Sequence, residues 1–580
     1  MPKINDYPIT NFVGLNKNKS GYSMSPGEMV NTLNLDLDED GRARRRKGSQ
    51  QFGNTISGKI IDSSYTYIDS TQNAYHLIIS REANGVLYKV GGNYTTADLT
   101  TSSTTITVGN NSFFAASGTV EINGDNISYT GKNGTTELTG VTGISRAIPA
   151  YSAVHQVQSI GNSGVNTNSG AYFTTLNGVC VITGRTGGAT FDGTTLAAIS
   201  DGNEAQGLFG VSYRDRLYVA GSGSGGTNAT MNRVAYSDAG DATSWSSTDQ
   251  YFDVEDETGE VITGLSESSD YLFIWKLNSI FRYDEVQLKQ SVWGVGAYNN
   301  EVIERIGGNF YTFCPSGVWK TTGFSAVKLS EPIERYLKSF RPKYDSAKRV
   351  ITNCFSGQFY NKYYLYLDAV EDPDTGETLN DVCFVFDTEK ENWTIQDSFT
   401  NFTHFNYQVV WHTGALSNST TGGSTAQVGP ALFAGDESGG YWKMFDDRFL
   451  DNETNRTMRG GDIIGNVISD VSEPAVVEDP INTILETPFY HLGAPQWWKN
   501  IMYVRVLIET GDFDVSYRLD KGDKITDWIS LGNYNQTNKR IPLKEKEGYR
   551  IAFRMSGRTA DVLSTFNGLI VEEIEAKQKK

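Results

Sequence analysis

Reactive and metal-binding side chains are scarce in this 580-residue sequence. It contains four cysteines and five histidines, and no two cysteines are spaced as a C-x-x-C pair. This scarcity argues against a disulfide framework, a zinc site and histidine-based catalysis. We therefore expect Cys180, Cys314, Cys354 and Cys383 to be buried thiols in strands.

The sequence also lacks long apolar runs and an excess of basic residues. It has no run of about 18 apolar residues, so we expect no membrane span. Its first residues contain no apolar segment, so we expect no ordinary secretion signal. With 50 Lys and Arg against 68 Asp and Glu, the net charge is −18. This acidic balance argues against a general nucleic-acid binder, although it does not exclude DNA that passes without adhering.

Proline is scarce, with 14 residues, whereas glycine is abundant, with 60 residues. Many glycines without many prolines are typical of tight turns between strands. Aromatic residues make up 12% of the chain, which is enough for packed cores and argues against wholesale disorder.

Seven pairs of short apolar segments, each pair joined through Gly or Asn, predict seven β-hairpins. The pairs are 76–79 with 85–88, 179–182 with 189–191, 217–220 with 234–236, 271–274 with 280–283, 310–313 with 317–319, 363–366 with 382–385, and 431–434 with 441–443. From the second pair on, the spacings that we compared lie between 38 and 55 residues. A unit of roughly 40–50 residues with several strands is typical of a β-propeller blade. We predict an all-β fold with a propeller of about six or seven blades.

Together these patterns divide the chain into five parts. Residues 1–50 form an N-terminal assembly segment, 51–91 the first blade, 92–159 a small inserted β module, 160–455 the propeller body and 456–580 a C-terminal β-sandwich. The insert is poor in charge and alternates with period two, and the alternative is an extended blade loop. In the sandwich, Val504, Val506 and Ile508 share one face. We expect a loop at 466–485 and a frayed tail at 572–580.

Two motifs near the N-terminus suggest ligands. Asp36-x-Asp38-x-Asp40-Gly41 imitates the start of a calcium loop, but Lys47 takes the place of the glutamate at position twelve. An acidic-then-basic turn between strands is the better interpretation. The basic run from Arg42 to Lys47 has three readings: contact with a phosphate backbone, salt bridges between subunits, or a solvated edge.

Two other patterns imitate enzyme sites. Gly221-x-Gly223-x-x-Gly226 matches a dinucleotide fingerprint but opens no helix, so a hairpin loop is the preferred reading. The acidic run 253–257 could supply a glycosidase carboxylate, although turn or surface acids are the default. No P-loop, H-E-x-x-H or Ser/His/Asp order stands out. We predict a protein that is not an enzyme, with no catalytic, cofactor-binding or metal-ligating residues.

The N-terminal stretch is the most specific part of the sequence. It reads FVGLN at 12–16, SPGEM at 25–29, LNL at 33–35 and GRARRRKG at 41–48. This pattern resembles the opening of the tail nozzle, or packaged-DNA stabilisation, proteins of short-tailed bacteriophages. The segments RVAYSD at 233–238, GEVITGL at 259–265 and LFIWK at 272–276 are similar to the family's propeller core. The segments FYHLG at 489–493, YRI at 549–551 and SG at 556–557 are similar to its C-terminal domain.

The resemblance implies a structural virion protein. Members form a ring of identical subunits, commonly six, below the portal and its adaptor, and tail fibres or spikes are neighbours. The tube retains packaged DNA and conducts it during ejection without sequence-specific binding. Such a protein is assembled in the host cytoplasm and resides in the virion tail. In this picture loops such as 221–228 narrow the lumen.

Two alternatives remain at this stage. The first is a receptor-binding or polysaccharide-degrading tail protein, which would bind or cleave saccharides. The second is a bacterial propeller scaffold or adhesin, which would need export.

Overall fold

A computed structural model describes residues 3–70, 74–150, 152–200, 207–221, 231–246, 249–255, 259–346, 350–399, 401–412, 426–445, 450–451, 479–536, 539–557 and 564–577. Strands dominate the described residues. The helical elements in them are short: 3₁₀ turns at Thr167–Ser169, Asn300–Val302 and Glu331–Ile333, and a single α-helical turn at Glu334–Leu337. The predicted all-β class is therefore confirmed.

The propeller contains seven antiparallel sheets that each supply four strands as a blade. From the inner strand outwards the blades are: blade 1, Ile61–Ile68, Ala74–Ser80, Val86–Tyr94 and Ala153–Asn162; blade 2, Ala171–Leu176, Val179–Gly184, Gly187–Phe191 and Leu196–Ala198; blade 3, Phe209–Tyr213, Arg216–Ala220, Arg233–Tyr236 and Tyr251–Asp253; blade 4, Ile262–Glu267, Leu272–Lys276, Ser279–Tyr283 and Leu288–Trp293; blade 5, Glu304–Ile306, Asn309–Cys314, Gly317–Thr321 and Ala326–Lys328; blade 6, Cys354–Phe359, Lys362–Glu371, Thr378–Asp387 and Asn392–Gln396; blade 7, Phe402–His412, Ala426–Asp436, Tyr441–Met444 and Ser49–Gln51. The upper figure of the predicted blade count is thus the observed one.

All seven predicted hairpins are confirmed as antiparallel pairs. In every blade the hairpin forms the two middle strands, which are covered by neighbouring blades on both faces. Leu272–Lys276, for example, is buried at every position. This double coverage explains why the middle strands are continuous apolar runs instead of alternating ones.

The ring closes where the inner strands of blades 1 and 7 meet. Ser64 is hydrogen-bonded to the imidazole Nε2 of His404 at 2.8 Å, and the Asn406 amide donates to the Ser64 hydroxyl at 3.0 Å. Blade 7 takes its outer strand from the N-terminal region, because Ser49–Gln51 pairs with Tyr441–Met444. A strand from one end of the propeller therefore completes the blade formed at the other end.

The inserted segment forms a module with its own core. Ile106, Val120, Ile127 and Leu138 are all fully buried in it. Gly118–Ile122 and Asp125–Tyr129 extend the sheet of blade 1, whereas Thr105–Thr107, Gly131–Asn133 and Glu137–Thr139 form a small separate sheet. Blade 1 reaches further than the predicted boundaries 92 and 159, because its third strand continues to Tyr94 and its fourth begins at Ala153.

The C-terminal domain is a sandwich of two antiparallel sheets around one apolar core. The smaller sheet has the order Ile529–Tyr534, Phe513–Asp520, Arg550–Gly557, Thr483–Glu486 and Asn31–Leu33. The larger sheet has the order Lys539–Pro542, Trp498–Thr510, Thr565–Lys577, Ala43–Arg45 and Leu35–Leu37, and Lys3–Ile4, Tyr7–Ile9 and Glu547–Gly548 pair with its long strands. Val504, Val506 and Ile508 face the core as predicted.

Three predictions for this domain are wrong. Residues 456–580 do not build the sandwich by themselves, because five strands come from the N-terminal region. The tail is not frayed up to Lys577, since Thr565–Lys577 pairs with Trp498–Thr510 along its whole length. The loop predicted at 466–485 contains part of the strand Thr483–Glu486, and its residues 466–478 lie outside the described part. Three further strand pairs form small two-stranded sheets. They are Gly14–Leu15 with Glu28–Met29, Tyr344–Asp345 with Val350–Ile351, and Leu450–Asp451 with Asp479–Pro480.

Replacement of Phe52 tests the closure of the ring. Its side chain is 3% exposed and contacts His155 and Phe433, with ring centroids 4.4 and 5.1 Å away. We expect Phe52→Ala to lower the free energy of unfolding by about 3–5 kcal/mol, since a buried ring is replaced by a cavity. Val286→Ala is the control, because Val286 is 83% exposed and its truncation should change stability by about 0.5 kcal/mol or less. Urea unfolding followed by tryptophan fluorescence measures both, and equal midpoints would contradict the prediction.

Candidate functional site: the N-terminal brace and the axial pocket

Residues 3–52, which we call the N-terminal brace, contact both the propeller and the sandwich. Leu15 packs into the core of blades 4–6, whereas Phe12 and Met29 pack into the sandwich core. The Lys17 amide donates to the carbonyl of Pro332, and the Lys17 ammonium pairs with Asp374 at 2.8 Å. The brace therefore connects the propeller to the sandwich within one chain.

Two glycines of the sequence motif allow the brace to follow this path. Gly27 has a φ of +90°, and a Cβ at this position would lie 2.2 Å from the carbonyl oxygen of Asn11. Gly14 has a φ of +119°, and its Cβ would lie 2.7 Å from the Cβ of Asn392 on the outer strand of blade 6. Any larger residue would be strained and would also collide.

Glu28 fixes the turn that these glycines permit. Its carboxylate accepts hydrogen bonds from the Ser25 amide at 2.5 Å and from the side chains of Asn16 and Lys19 at 2.8 Å. Burial would raise the pKa of Glu28, but the Lys19 ammonium and these hydrogen bonds lower it below its usual value. The Pro-Gly-Glu element of the motif therefore stabilises this turn through the hydrogen bonds of Glu28.

Arg46 forms the junction of the brace with both domains. It is fully buried, and its Nε donates to the Asn34 side-chain oxygen at 2.8 Å, while Nη2 donates to the Asp397 carbonyl at 2.9 Å. Asn34 in turn donates to the Asp397 carboxylate at 2.6 Å and to the Asn482 carbonyl at 2.8 Å. One residue network thus connects the brace, blade 6 and the sandwich.

The basic run is engaged within the chain. Arg42 lies 2.7 Å from the Asp38 carboxylate and 2.9 Å from that of Glu509, and Arg44 lies 2.9 Å from Asp38. Arg45 and Arg46 are 2% and 0% exposed, and burial lowers the pKa of Arg45 to about 10. The reading of this run as a solvated edge is therefore wrong for its two buried members.

The same ion pairs decide the calcium-like motif. The Lys362 ammonium lies 2.7 Å from Asp36, and arginines neutralise Asp38 and Asp40. The Asp38 carboxylate also accepts the amide of Asp40 at 3.0 Å. The preferred interpretation is confirmed, because the motif is a turn between Leu35–Leu37 and Ala43–Arg45. The calcium alternative gains no support, because Lys362, Arg42 and Arg44 pair with these carboxylates within the chain.

The structure describes only part of each of the two enzyme-like patterns. Gly221 follows the strand Arg216–Ala220, which pairs antiparallel with Arg233–Tyr236, so no parallel βαβ unit is present there. Gly223, Gly226 and the predicted lumen loop up to 228 lie outside the described residues. Asp253 makes a two-point ion pair with Arg233 at 2.8 and 2.9 Å, Glu255 is exposed, and residues 256–257 are outside the description.

The cysteines behave as predicted. All four are buried, unpaired in disulfides and located in strands. Burial raises the pKa of the Cys180, Cys354 and Cys383 thiols, which makes them poor nucleophiles at neutral pH. Within the ranges that the structure describes, His, Cys, Asp and Glu form no group of three suited to a metal ion. The described helices include none that is long and apolar enough to cross a membrane.

A polar cavity of about 230 Å³ lies at the end of the propeller where several inner strands begin. Arg81 in its wall donates from Nε to Asp62 at 2.7 Å, and the Tyr172 hydroxyl donates to Glu301 at 3.2 Å. Asp368 pairs with Lys343. This cavity, which we call the axial pocket, is therefore polar and has more acidic than basic side chains in its wall.

Glu304, on the inner strand of blade 5, lies beside the inner strand of blade 6. Its partner is the Ser356 hydroxyl, which donates at 3.4 Å. Burial raises the pKa of Glu304 to about 8, and the Ser356 hydrogen bond opposes this only in part. This carboxyl therefore stays protonated near neutral pH. The sequence contained no signal for it, because 68 acidic residues look alike without their neighbours.

The comparisons with known proteins concern only the fold. No protein-family model matches the chain, and no curated protein matches it. Among solved structures, the Pan2 WD40 domain of Neurospora crassa matches with 9% identity and a TM-score of 0.27, over 62% of this chain and 90% of that one. An exo-β-1,3-galactanase from Phanerochaete chrysosporium matches with 10% identity and a TM-score of 0.21, over 70% and 95%. The extracellular domain of a putative one-component system from B. thetaiotaomicron matches with 11% identity and a TM-score of 0.22, over 93% and 79%.

Replacement of Arg46 tests the junction. We expect Arg46→Ala to lower the free energy of unfolding by about 3 kcal/mol, because Asn34 and Asp397 lose a buried charged donor. Arg42→Ala is the matched control. Arg42 is 27% exposed, and loss of its surface ion pairs should cost far less, because water screens exposed ion pairs. Urea unfolding gives the stabilities, and limited proteolysis should separate sandwich from propeller faster in Arg46→Ala. Equal losses in the two variants would rule out the special role of Arg46.

Replacement of Glu304 tests its protonation. The folded protein holds this proton up to about pH 8, whereas an unfolded chain releases it near the ordinary value of 4.5. The contribution of the protonated Glu304 carboxyl to the free energy of unfolding is therefore complete below pH 4.5, and it is lost as the pH rises to about 8. We expect Glu304→Gln to be more stable than the wild type at pH 8.5 by up to about 4 kcal/mol and nearly equal at pH 5. Exposed Glu267→Gln is the control. Parallel pH profiles for wild type and Glu304→Gln would refute the assignment.

Proposed function

We propose that this chain is a structural virion protein, the tail nozzle of a short-tailed bacteriophage. In this proposal identical copies, commonly six, form a tube below the portal and its adaptor, next to the tail fibres or spikes. The tube retains the packaged DNA and conducts it during ejection. The chain has no enzymatic role and no cofactor in this proposal, and it resides in the virion tail after assembly in the host cytoplasm.

The observation that carries the proposal is the structural use of the N-terminal motif. The motif residues that resemble the nozzle family are those that build the brace: Gly14, Gly27, Glu28, Asn34 and Arg46. They stabilise turns and connect domains, and none of them lines the axial pocket. This use is what a wall-forming protein requires, because a conduit must resist deformation and needs no reactive group.

Charge supports the same proposal. A net charge of −18 per chain repels nucleic acid, and a wall that DNA slides past must avoid the counterion release that makes DNA adhere. The basic run, which was a candidate for phosphate contact, is engaged with Asp38, Glu509 and the Asn34 network instead. The proposal therefore assigns DNA the role of a passing partner.

The position of the protein in the virion is the test. Gold-labelled antibodies and cryo-electron microscopy of purified particles should place it on the tail axis, and native mass spectrometry should give a closed ring of several copies. A location on the fibres or in the capsid shell, with none at the axis, would reject the proposal.

A second candidate function is that of a receptor-binding or polysaccharide-degrading tail protein. The axial pocket favours it, because a cavity of about 230 Å³ with carboxylates such as Glu301 and Asp368 has the size and polarity for a sugar unit. Incubation with host capsule and measurement of released reducing ends separates the two candidates. A turnover that Glu301→Gln abolishes would favour the second candidate, and an inert protein would favour the nozzle.

A further inference from the structure

An alternating series of arginines and aromatic rings lies on the outer face of the smaller sandwich sheet. Arg550 stacks over Tyr22 at 4.4 Å, and Tyr22 stacks on Phe489 at 5.4 Å. The Arg518 guanidinium lies over the rings of Phe489 and Trp528, 5.0 and 4.4 Å from their centroids. The Arg554 guanidinium lies over the Trp528 ring at 4.5 Å. We call these six residues the arginine–aromatic ladder.

The backbone register explains why the ladder is on the outside. Val515, Tyr517 and Leu519 point into the sandwich core and are fully buried, so Arg518, which alternates with them, points to the other face. Arg518 pairs across the sheet with Ala552, which lies midway between Arg550 and Arg554. The sheet therefore holds three guanidinium groups side by side.

Arg518 is the arginine in this ladder that makes no direct ion pair with a described residue. Arg550 pairs with Asp520 at 3.7 Å, and Arg554 pairs with Glu486. Among the described residues, Arg518 forms no ion pair, and its Nε has no hydrogen-bond partner. Burial lowers the pKa of Arg518, the Glu486 carboxylate opposes this in part, and the neighbouring Arg554 lowers the pKa further. The two rings hold the guanidinium plane, and no described residue accepts a hydrogen bond from its Nη groups.

The exposure of the ladder is that of a contact surface. The side chains of Arg550 and Arg554 are 31% and 39% exposed, and Tyr22 is 48% exposed. Tyrosine, tryptophan and arginine are the residues that carry most binding energy in protein interfaces. A guanidinium between two rings is preorganised for two-point hydrogen bonding to a carboxylate.

We propose that the arginine–aromatic ladder binds a carboxylate-bearing surface loop of a second copy of this chain, with Arg518 as the central contact. Charge complementarity selects this occupant, because each copy has a net charge of −18 and so supplies acidic loops, while the ladder is a cationic site. The inference rests on the proposed ring, in which each contact joins two different surfaces of neighbouring copies.

Nucleic acid fits the ladder less well. Affinity for DNA is built from many phosphate contacts, whereas Glu486 and Asp520 already neutralise two of the three arginines. The remaining single charge suits one carboxylate better than a repeating phosphate chain.

The test compares Arg518→Glu, Arg518→Lys and a control, Arg305→Glu, by mass photometry of purified protein over a range of concentrations. Arg305 is a matched control, because it is also part-exposed and also lies over a ring, that of Phe310 at 5.9 Å. We expect Arg518→Glu to weaken assembly by about tenfold or more and Arg518→Lys by less, since lysine keeps the charge but loses the stacked plane. Arg305→Glu should assemble like the wild type. Thermal melting verifies that each variant is folded.

A cross-link gives a second readout that does not depend on a disruptive variant. Ser530 is exposed and lies on the ladder's face of the sheet, opposite Ser516. A benzophenone amino acid at this position, in rings co-assembled from unlabelled and ¹⁵N-labelled chains, should yield mixed-isotope peptides after irradiation.

The outcomes separate this inference from the proposed function. If the wild type forms rings and Arg518→Glu forms them equally well, the inference is overturned, while the nozzle proposal stands. If only intrachain peptides are cross-linked, the inference is also overturned. Loss of duplex DNA binding in Arg518→Glu with unchanged rings would assign the ladder to nucleic acid and overturn it too. A wild type of single-copy mass at all concentrations overturns it as well, and the virion location then decides the nozzle proposal on its own.

Discussion

The requirement that a circular array of sheets must close determines most of this structure. Blade 7 has three strands of its own and obtains the fourth, Ser49–Gln51, from the N-terminal region. The residues before that strand cannot leave the surface freely, because Ala43–Arg45 and Tyr7–Ile9 pair with the long C-terminal strand Thr565–Lys577. Closure of the propeller and assembly of the sandwich therefore depend on the same segment, the N-terminal brace.

Buried charge is handled in three different ways in this chain. Arg46 is satisfied internally by Asn34 and a carbonyl oxygen. Glu304 avoids the cost of a buried charge by keeping its proton, since burial raises its pKa to about 8. Arg518 keeps its charge between two rings, and our inference gives it an anion from outside the chain. The first solution stabilises a fold, the second resists ionisation, and the third recognises a partner.

Local patterns made the hairpins predictable, and long-range pairing made the rest unpredictable. Each hairpin was visible because its apolar strands and turn residues are adjacent in sequence. The blade count stayed at six or seven because Ser49–Gln51 is three polar residues and has no strand signal without its partner. The tail 572–577 is rich in charge, yet it follows its neighbour Trp498–Thr510 as a strand. Arg46 sits in a basic run typical of surfaces, and its burial depends on Asp397 and Asn482, which are hundreds of residues away.

The order in which a ribosome delivers the chain gives the brace a temporal meaning. The brace is synthesised first, yet Asn34 waits for a carbonyl group 448 residues later, and its neighbouring strands wait for Thr565–Lys577. Such distant contacts form late, because the entropic cost of closing the chain must be met before they stabilise anything. A polypeptide that stops before residue 565 would leave these brace strands without their partner, Thr565–Lys577. Only a chain that includes Thr565–Lys577 can complete the sandwich. A subunit therefore becomes rigid only after that strand has been translated.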